Sequence, residues 1–170
     1  GLRRNSPLLL GAGLSGTAFI HGDQGNFEHG LNNIKNAIPY LEQAGNVREL
    51  IEAHNRRNIL LVRTMQYRQA LTNAEALFQK YNQQKLDPQA QAALFHTQIE
   101  LSLLRLYAGF PAEAVEFAAL TLNALQQGGR MADAVWARVS LSYALFYNGQ
   151  FKQALAHASV GCQAALTMKN

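Results

Sequence analysis

Six residues near the start of the chain form its most specific chemical pattern. Gly11-Ala12-Gly13-Leu14-Ser15-Gly16 is a literal G-x-G-x-x-G, preceded by Leu8-Leu9-Leu10. In dinucleotide-binding folds such glycines let a pyrophosphate approach the N-terminus of a helix. That chemistry needs a full strand before the motif, a complete crossover helix after it and a second apolar strand. Only three apolar residues precede Gly11, and Gly22 and Gly25 follow too soon for the crossover. No apolar strand lies between Leu31 and Leu41, and no strand-helix alternation follows. A nucleotide-binding enzyme built on Gly11 to Gly16 is therefore the least favoured functional reading. The competing reading is small residues at a tight helix–helix contact, each glycine costing about 1 kcal/mol of helix propensity.

The other reactive side chains make no constellation. The histidines are His21, His29, His54, His96 and His157; none is three or four residues from another, and there is no H-E-x-x-H. Asp23, Asp87 and Asp133 are the only aspartates, and Asp87 precedes a proline as a helix cap would. No metal site is expected. Glu113 and Glu116 read as a solvated helix start, where negative charge is favourable, rather than as an acid–base pair. Cys162 is the single cysteine, so an internal disulfide and a cysteine-rich zinc site are excluded. It lies in the apolar run Ala158 to Ala165 and is expected to be a buried structural thiol. With no nucleophile motif either, the chain reads as a non-enzyme without a cofactor.

Arg56, Arg57, Arg63 and Arg68 cluster in sequence. They read as a solvated charged face, the sharper alternative being a site for an anion or an acidic peptide. The net charge of +4 over 170 residues is weak for nucleic acid. No compact recognition helix with base-reading side chains is evident, so direct nucleic-acid contact is not expected.

The elements that carry these residues are helical. Of the chain, 48% is hydrophobic but only 15% charged, against about 25% in typical soluble domains. Ala, Leu and Gln are frequent and there are only four prolines, a composition of helix formers. No run of about 18 apolar residues exists, so no membrane span is expected. Arg3-Arg4 before the apolar stretch Leu8 to Ile20 superficially resembles a secretory or twin-arginine signal, but no clean small-residue cleavage site follows. The sequence has no initiator Met and reads as a fragment of a larger cytoplasmic protein.

Four segments of the chain resemble one another: Gly25-Asn26-Phe27-Glu28-His29-Gly30, Met65-Gln66-Tyr67-Arg68-Gln69-Ala70, Gly109-Phe110-Pro111-Ala112-Glu113-Ala114 and Gly149-Gln150-Phe151-Lys152-Gln153-Ala154. Their final small residues are spaced 40, 44 and 40 apart. A tight turn between two helices favours Gly at positive φ, an aromatic fills the angle, and a small residue lets the backbones approach. Each such unit leaves an apolar face that the next one covers. Capping signals agree: Ser6-Pro7, the box Asn46-x-x-Glu49, Asp87-Pro88, Pro111, and the closing Gly45 and Gly128-Gly129. The pattern predicts helices over about 7–23, 27–44, 47–64, 67–84, 88–107, 111–127, 131–147 and 151–168.

These segments resemble the tetratricopeptide repeat (TPR), most closely in Leu141-Ser142-x-x-Leu145-x-x-x-Gly149-x-Phe151-x-x-Ala154-x-x-x-Ala158. The resemblance implies an all-α fold: an α-solenoid of about four helix-turn-helix TPR-like repeats in a right-handed superhelix. It implies one domain over 1–170, with units at about 6–45, 46–86, 87–129 and 130–170. The period exceeds the standard 34 residues, the second unit lacks the turn glycine, and the first has Gly30 where Ala is usual. Longer helix pairs of this kind resemble the arrays of bacterial maltose-activator (MalT-like) and LuxR-type transcriptional activators, and arrays beside signalling ATPase modules.

In TPR arrays the first helix of each unit lines the concave surface. On this register the resemblance implies Ala12, Ser15, Phe19 and Asp23, then Glu52, Asn55, Ile59 and Arg63, then His96, Ile99, Leu103 and Tyr107, and last Trp136, Val139, Tyr143 and Tyr147. Glu52, Asn55, Arg63, His96, Tyr107, Trp136, Tyr143 and Tyr147 are the expected binding residues. The implied function is a regulatory module binding a protein or peptide partner, or a small effector, in a bacterial transcription or signalling protein. The lysine–asparagine clamp for chaperone C-termini is not reproduced, so no chaperone partner is expected. The alternative is a self-association scaffold, a homodimer formed through the apolar terminal helix with Leu155, Val160 and Leu166.

Overall fold

Eight helices and no strand occupy the described residues, 6–167, of the computed structural model. They are α1 (Pro7–Asp23), α2 (Phe27–Ala44), α3 (Val47–Arg63), α4 (Tyr67–Tyr81), α5 (Pro88–Tyr107), α6 (Pro111–Gln127), α7 (Met131–Tyr147) and α8 (Phe151–Thr167). The expected order and number are found. α3 stops one residue early, and α4 ends at Tyr81 rather than residue 84, where Asn82 to Gln84 turn instead. The expected end of α8 at residue 168, and Arg3-Arg4, lie outside the described residues.

Local chemistry explains the boundaries. The Asn46 side chain accepts a hydrogen bond from the Glu49 N–H at 2.9 Å, half of the expected box. Asp87 Oδ1 accepts from the Gln89 and Ala90 N–H groups, both at 2.9 Å. Ser6 precedes Pro7 as expected but makes no side-chain cap. Gly25, Gly109 and Gly149 sit at positive φ two residues before α2, α6 and α8. The place of the missing glycine in the second pair is filled by Met65, forced to φ 59°. At all four turns the next N–H reaches back across the turn to a carbonyl in the last turn of the helix, as in Gln66 N–H to the Leu61 carbonyl at 2.8 Å. This closes the helix and satisfies an orphan carbonyl.

Two compact units divide the chain, Gly1–Thr97 and Gln98–Asn170, with the boundary inside α5. In the first, Leu41, Leu50, Ile51, Leu77, Tyr81 and Leu94 form the main core cluster. Beside it Ala18, Ile34 and Leu60 form a second cluster. Leu60 fits because Gly22 and Gly30 have no Cβ: one placed there would lie 2.7 and 3.1 Å from its methyl groups. In the second unit α6 packs on α7 and α7 on α8. Small residues dominate this packing: Ala114 and Ala118, Ala134, Ala137 and Ala144, then Ala154 and Gly161.

Two expectations need correction. Cys162 is exposed, not buried; Gly161 beside it takes the inward position on α8, against Arg138, and turns the thiol outward. The glycine-rich run is also only partly a tight contact. Gly11 packs against Leu41, but a Cβ on Gly13 or Gly16 would meet nothing within 4 Å. The whole motif lies inside α1, which begins at Pro7, and not at the strand-to-helix turn a pyrophosphate cradle requires.

Candidate functional site

Most polar groove candidates of the first unit are tied down. Asn55 is 4% exposed. Its amide donates to the Ala93 carbonyl at 3.1 Å, and its oxygen accepts from the Thr97 hydroxyl at 2.8 Å. It joins α3 to α5 instead of facing solvent as expected for a groove residue. Arg63 donates to the Gly22 carbonyl at 3.2 Å and lies 3.7 Å from the Asp23 carboxylate. Two turns earlier on α3, Arg56 donates to Ser15 Oγ at 2.6 Å. Both arginines thus hold α3 against α1. The crevice between them, lined by Phe19, Asp23, Arg56, Ile59 and Arg63, has a volume of about 10 Å³, enough for one water at most. Glu52 is half-buried and His96 is exposed on α5.

The four arginines close in sequence do not form one patch. Successive residues of a helix point about 100° apart, so Arg57 turns from α1 toward α4. There its guanidinium donates to Asn73 Oδ1 at 3.4 Å. The same oxygen accepts from His54 Nδ1 at 3.1 Å, and the Asn73 amide donates to the buried Asn58 side chain. Burial pushes the His54 pKa down and the positive charges of Arg57 and Lys80 add to this; the Asn73 bond and Glu42 oppose it. Arg68 is exposed at the start of α4.

A second cavity of this unit lies on the other side of α3. It has a volume of about 540 Å³, with Leu31, Asn32, Lys35, Ile38 and Pro39 of α2 on one wall. Arg57 and Leu61 of α3, Gln66, and Gln69 of α4 complete it. Sequence reasoning missed this groove, because α2 and α4 contribute residues some 30 or more positions apart. It likewise missed the contact of the His21 and His29 rings, 5.8 Å apart. Among the described residues no group of three or more His, Cys, Asp or Glu side chains could hold a metal.

The second unit presents the opposite chemistry. Trp136, Tyr143 and Tyr147 of α7 are 66%, 54% and 63% exposed, and Tyr107 at the end of α5 is also exposed. Tyr143 and Tyr147 border a groove of about 450 Å³ between α7 and α8, with Phe146, Phe151, Leu155 and Ala158. Its aromatic rings support one another edge-on: the Phe146 centroid is 5.3 Å from Phe151 and 5.4 Å from Tyr147. Phe151 and Leu155 of α8 extend this exposed aromatic–apolar surface beyond α7. Phe151 and Leu155 repeat the places of Tyr67 and Leu71, yet Leu71 is only 9% exposed while Leu155 is 69% exposed.

No family model matches the chain, and no curated protein matches it. Solved structures do. BtubC (BKLC) from P. vanneervenii superposes with a TM-score of 0.77 over 99% of this chain and 68% of its own, at 16% identity. The nearly identical TPR-like repeats of a candidate kinesin light chain from Podosopora anserina give 0.70 at 13% identity. A variant of those repeats with one residue substituted gives 0.73 at 15%, both covering 94% of this chain and 77% of theirs. At these identities the likeness shows a fold: this chain is an all-α array of TPR-like helix-turn-helix repeats.

Proposed function

We propose that the chain is a non-catalytic interaction module that binds a protein or peptide partner through the aromatic surface of α7 and α8. The observation that carries this reading is the groove bordered by Tyr143, Phe146, Tyr147, Phe151 and Leu155, with Trp136 on the same face of α7. Large exposed aromatics give contact area at low entropic cost and are the usual anchors of interfaces. The groups that could have done chemistry have structural explanations: Gly11 seats Leu41, Arg56 and Arg63 hold α1, and Asp87 caps α5. A regulatory place in a bacterial cytoplasmic transcription or signalling protein is a finer reading, supported by the helix-pair period of 40 to 44 residues.

Selection of a displayed peptide library on the full chain tests the binding surface. Selected peptides are expected to lose at least about tenfold in affinity on Trp136→Ala or Tyr143→Ala, with unchanged helicity by circular dichroism. Peptides insensitive to both changes would refute the assignment.

Self-association is the second reading, favoured by the exposed Leu155, Val160 and Leu166 along α8. Sedimentation equilibrium decides it. A dimer that dissociates on Leu155→Glu or Val160→Glu supports it, and a monomer over the whole concentration range removes it.

A further inference from the structure

The groove between α2 and α4 has a composition that the aromatic surface lacks. Its cations are Lys35 and Arg57, and no carboxylate lines it. Arg57 uses one amino group on Asn73, and a guanidinium carries five N–H donors, so others remain for a ligand. Such a planar fork matches the two oxygens of a carboxylate, as it does those of a phosphate. Leu31, Ile38, Pro39 and Leu61 form the apolar part of the lining. The volume of about 540 Å³ suits a few residues of ligand.

Hydrogen-bonding capacity separates a peptide from a simple fatty acid. Asn32, Gln66 and Gln69 bring three amides to the lining, each with donors and an acceptor, the Gln66 amide already donating one hydrogen bond to Thr64 Oγ1 at 2.9 Å. Pro39 lies inside α2 and has no N–H, so the Lys35 carbonyl lacks its usual helical donor. Both residues line the groove. An aliphatic chain would leave these groups unmatched; an extended backbone satisfies them.

We infer that the α2–α4 groove binds an extended peptide bearing a carboxylate next to an apolar side chain, with Arg57 and Lys35 holding the carboxylate. This site is separate from the α7–α8 surface and does not depend on it.

The test is fluorescence anisotropy of the full chain with two fluorescein-labelled, amidated peptides, Gly-Ser-Leu-Leu-Asp-Ser-Gly and its counterpart with Asn for Asp. The acidic probe is expected to bind about tenfold more tightly, the discrimination typical of a charge-assisted hydrogen bond. Arg57→Gln and Lys35→Gln should each remove most of that preference, while Trp136→Ala leaves it unchanged. Lys35 is exposed, so its variant keeps the fold and decides the matter even where Arg57→Gln disturbs the Asn73 network. Equal binding of the two probes, no binding of either, or a preference untouched by Lys35→Gln overturns the inference. So does octanoate displacing the acidic probe as effectively as unlabelled peptide, which would identify an apolar carboxylate as the ligand.

Discussion

The three glycines of the G-x-G-x-x-G run should respond to alanine with opposite signs. Gly13 and Gly16 sit in the middle of α1 with open space where a Cβ would go. Alanine there adds helix propensity and removes backbone freedom from the unfolded chain, about 1 kcal/mol per site. The double variant Gly13→Ala/Gly16→Ala should therefore gain about 2 kcal/mol, or roughly 4–8 °C in Tm for a chain of this length. At Gly11 the same propensity gain meets a wall. A Cβ would stand 2.7 Å from Leu41 Cγ and Cδ2 and 3.2 Å from the Ala37 carbonyl oxygen. Leu41 is fully buried, and its Cγ cannot swing away as a flexible tip could. Overpacking of this kind costs about 1–3 kcal/mol. Gly11→Ala should lose about 1 kcal/mol net, and Gly11→Val more. Thermal and urea denaturation followed by circular dichroism in the far ultraviolet measure all three. A rise in Tm for Gly11→Ala equal to that of Gly13→Ala, or a fall for the double variant, would refute the packing argument.

Three further outcomes are expected. Met65→Gly should raise stability by about 0.5–1 kcal/mol in urea denaturation, because Met65 holds a positive φ that glycine adopts freely and its exposed side chain gives up little packing. Asn55→Ala should cost about 2 kcal/mol by the same measurement, since it strips a donor from the buried Ala93 carbonyl and an acceptor from the Thr97 hydroxyl. His54 has a folded pKa below its unfolded value of about 6.5. Folding therefore favours its neutral imidazole, so the stability it contributes is present above about pH 6.5 and is lost as pH falls toward the folded pKa, where the unfolded chain binds the extra proton. A Tm profile from about pH 8 to about pH 5 should therefore fall on the acid side, and His54→Gln should flatten that fall; an unchanged slope would show that His54 does not cause it.

The helices were legible in the sequence because their boundaries are set locally. Asn46, Asp87, Pro111 and the turn glycines act within about one helical turn of themselves. Even the departure at Met65 kept the spacing that reveals the turn. The polar site residues were less legible because their roles depend on distant partners. Asn55 reads as a groove residue until Thr97, 42 positions on, is known to bond it. Arg56 and Arg57 are neighbours in sequence, but one bonds Ser15 and the other Asn73. Cys162 looked buried because its surroundings are apolar, yet the residue that faces inward at that point is Gly161. Aromatic positions were easier to place, since spacing alone puts Trp136, Tyr143 and Tyr147 on one face of α7.

Comparison of α3 with α7 in register supports the proposal that binding falls to the second. Counted from their starts at Val47 and Met131, the two helices carry Glu52 against Trp136, Asn55 against Val139, Ile59 against Tyr143 and Arg63 against Tyr147. On α3 two of the three polar members of these positions are bonded, Asn55 to α5 and Arg63 to α1, with Arg56 reinforcing the latter. A ligand approaching that face would have to replace hydrogen bonds already made, and would gain only the difference. On α7 three of the same positions carry exposed rings, Trp136, Tyr143 and Tyr147, and Phe146 packs edge-on against Tyr147 and Phe151. Covering them removes apolar area from water at about 25 cal/mol per Å², and the rings have few rotamers to lose. One repeat register thus has two outcomes: in α3 it fixes the packing of the helices, and in α7 it leaves an exposed aromatic face.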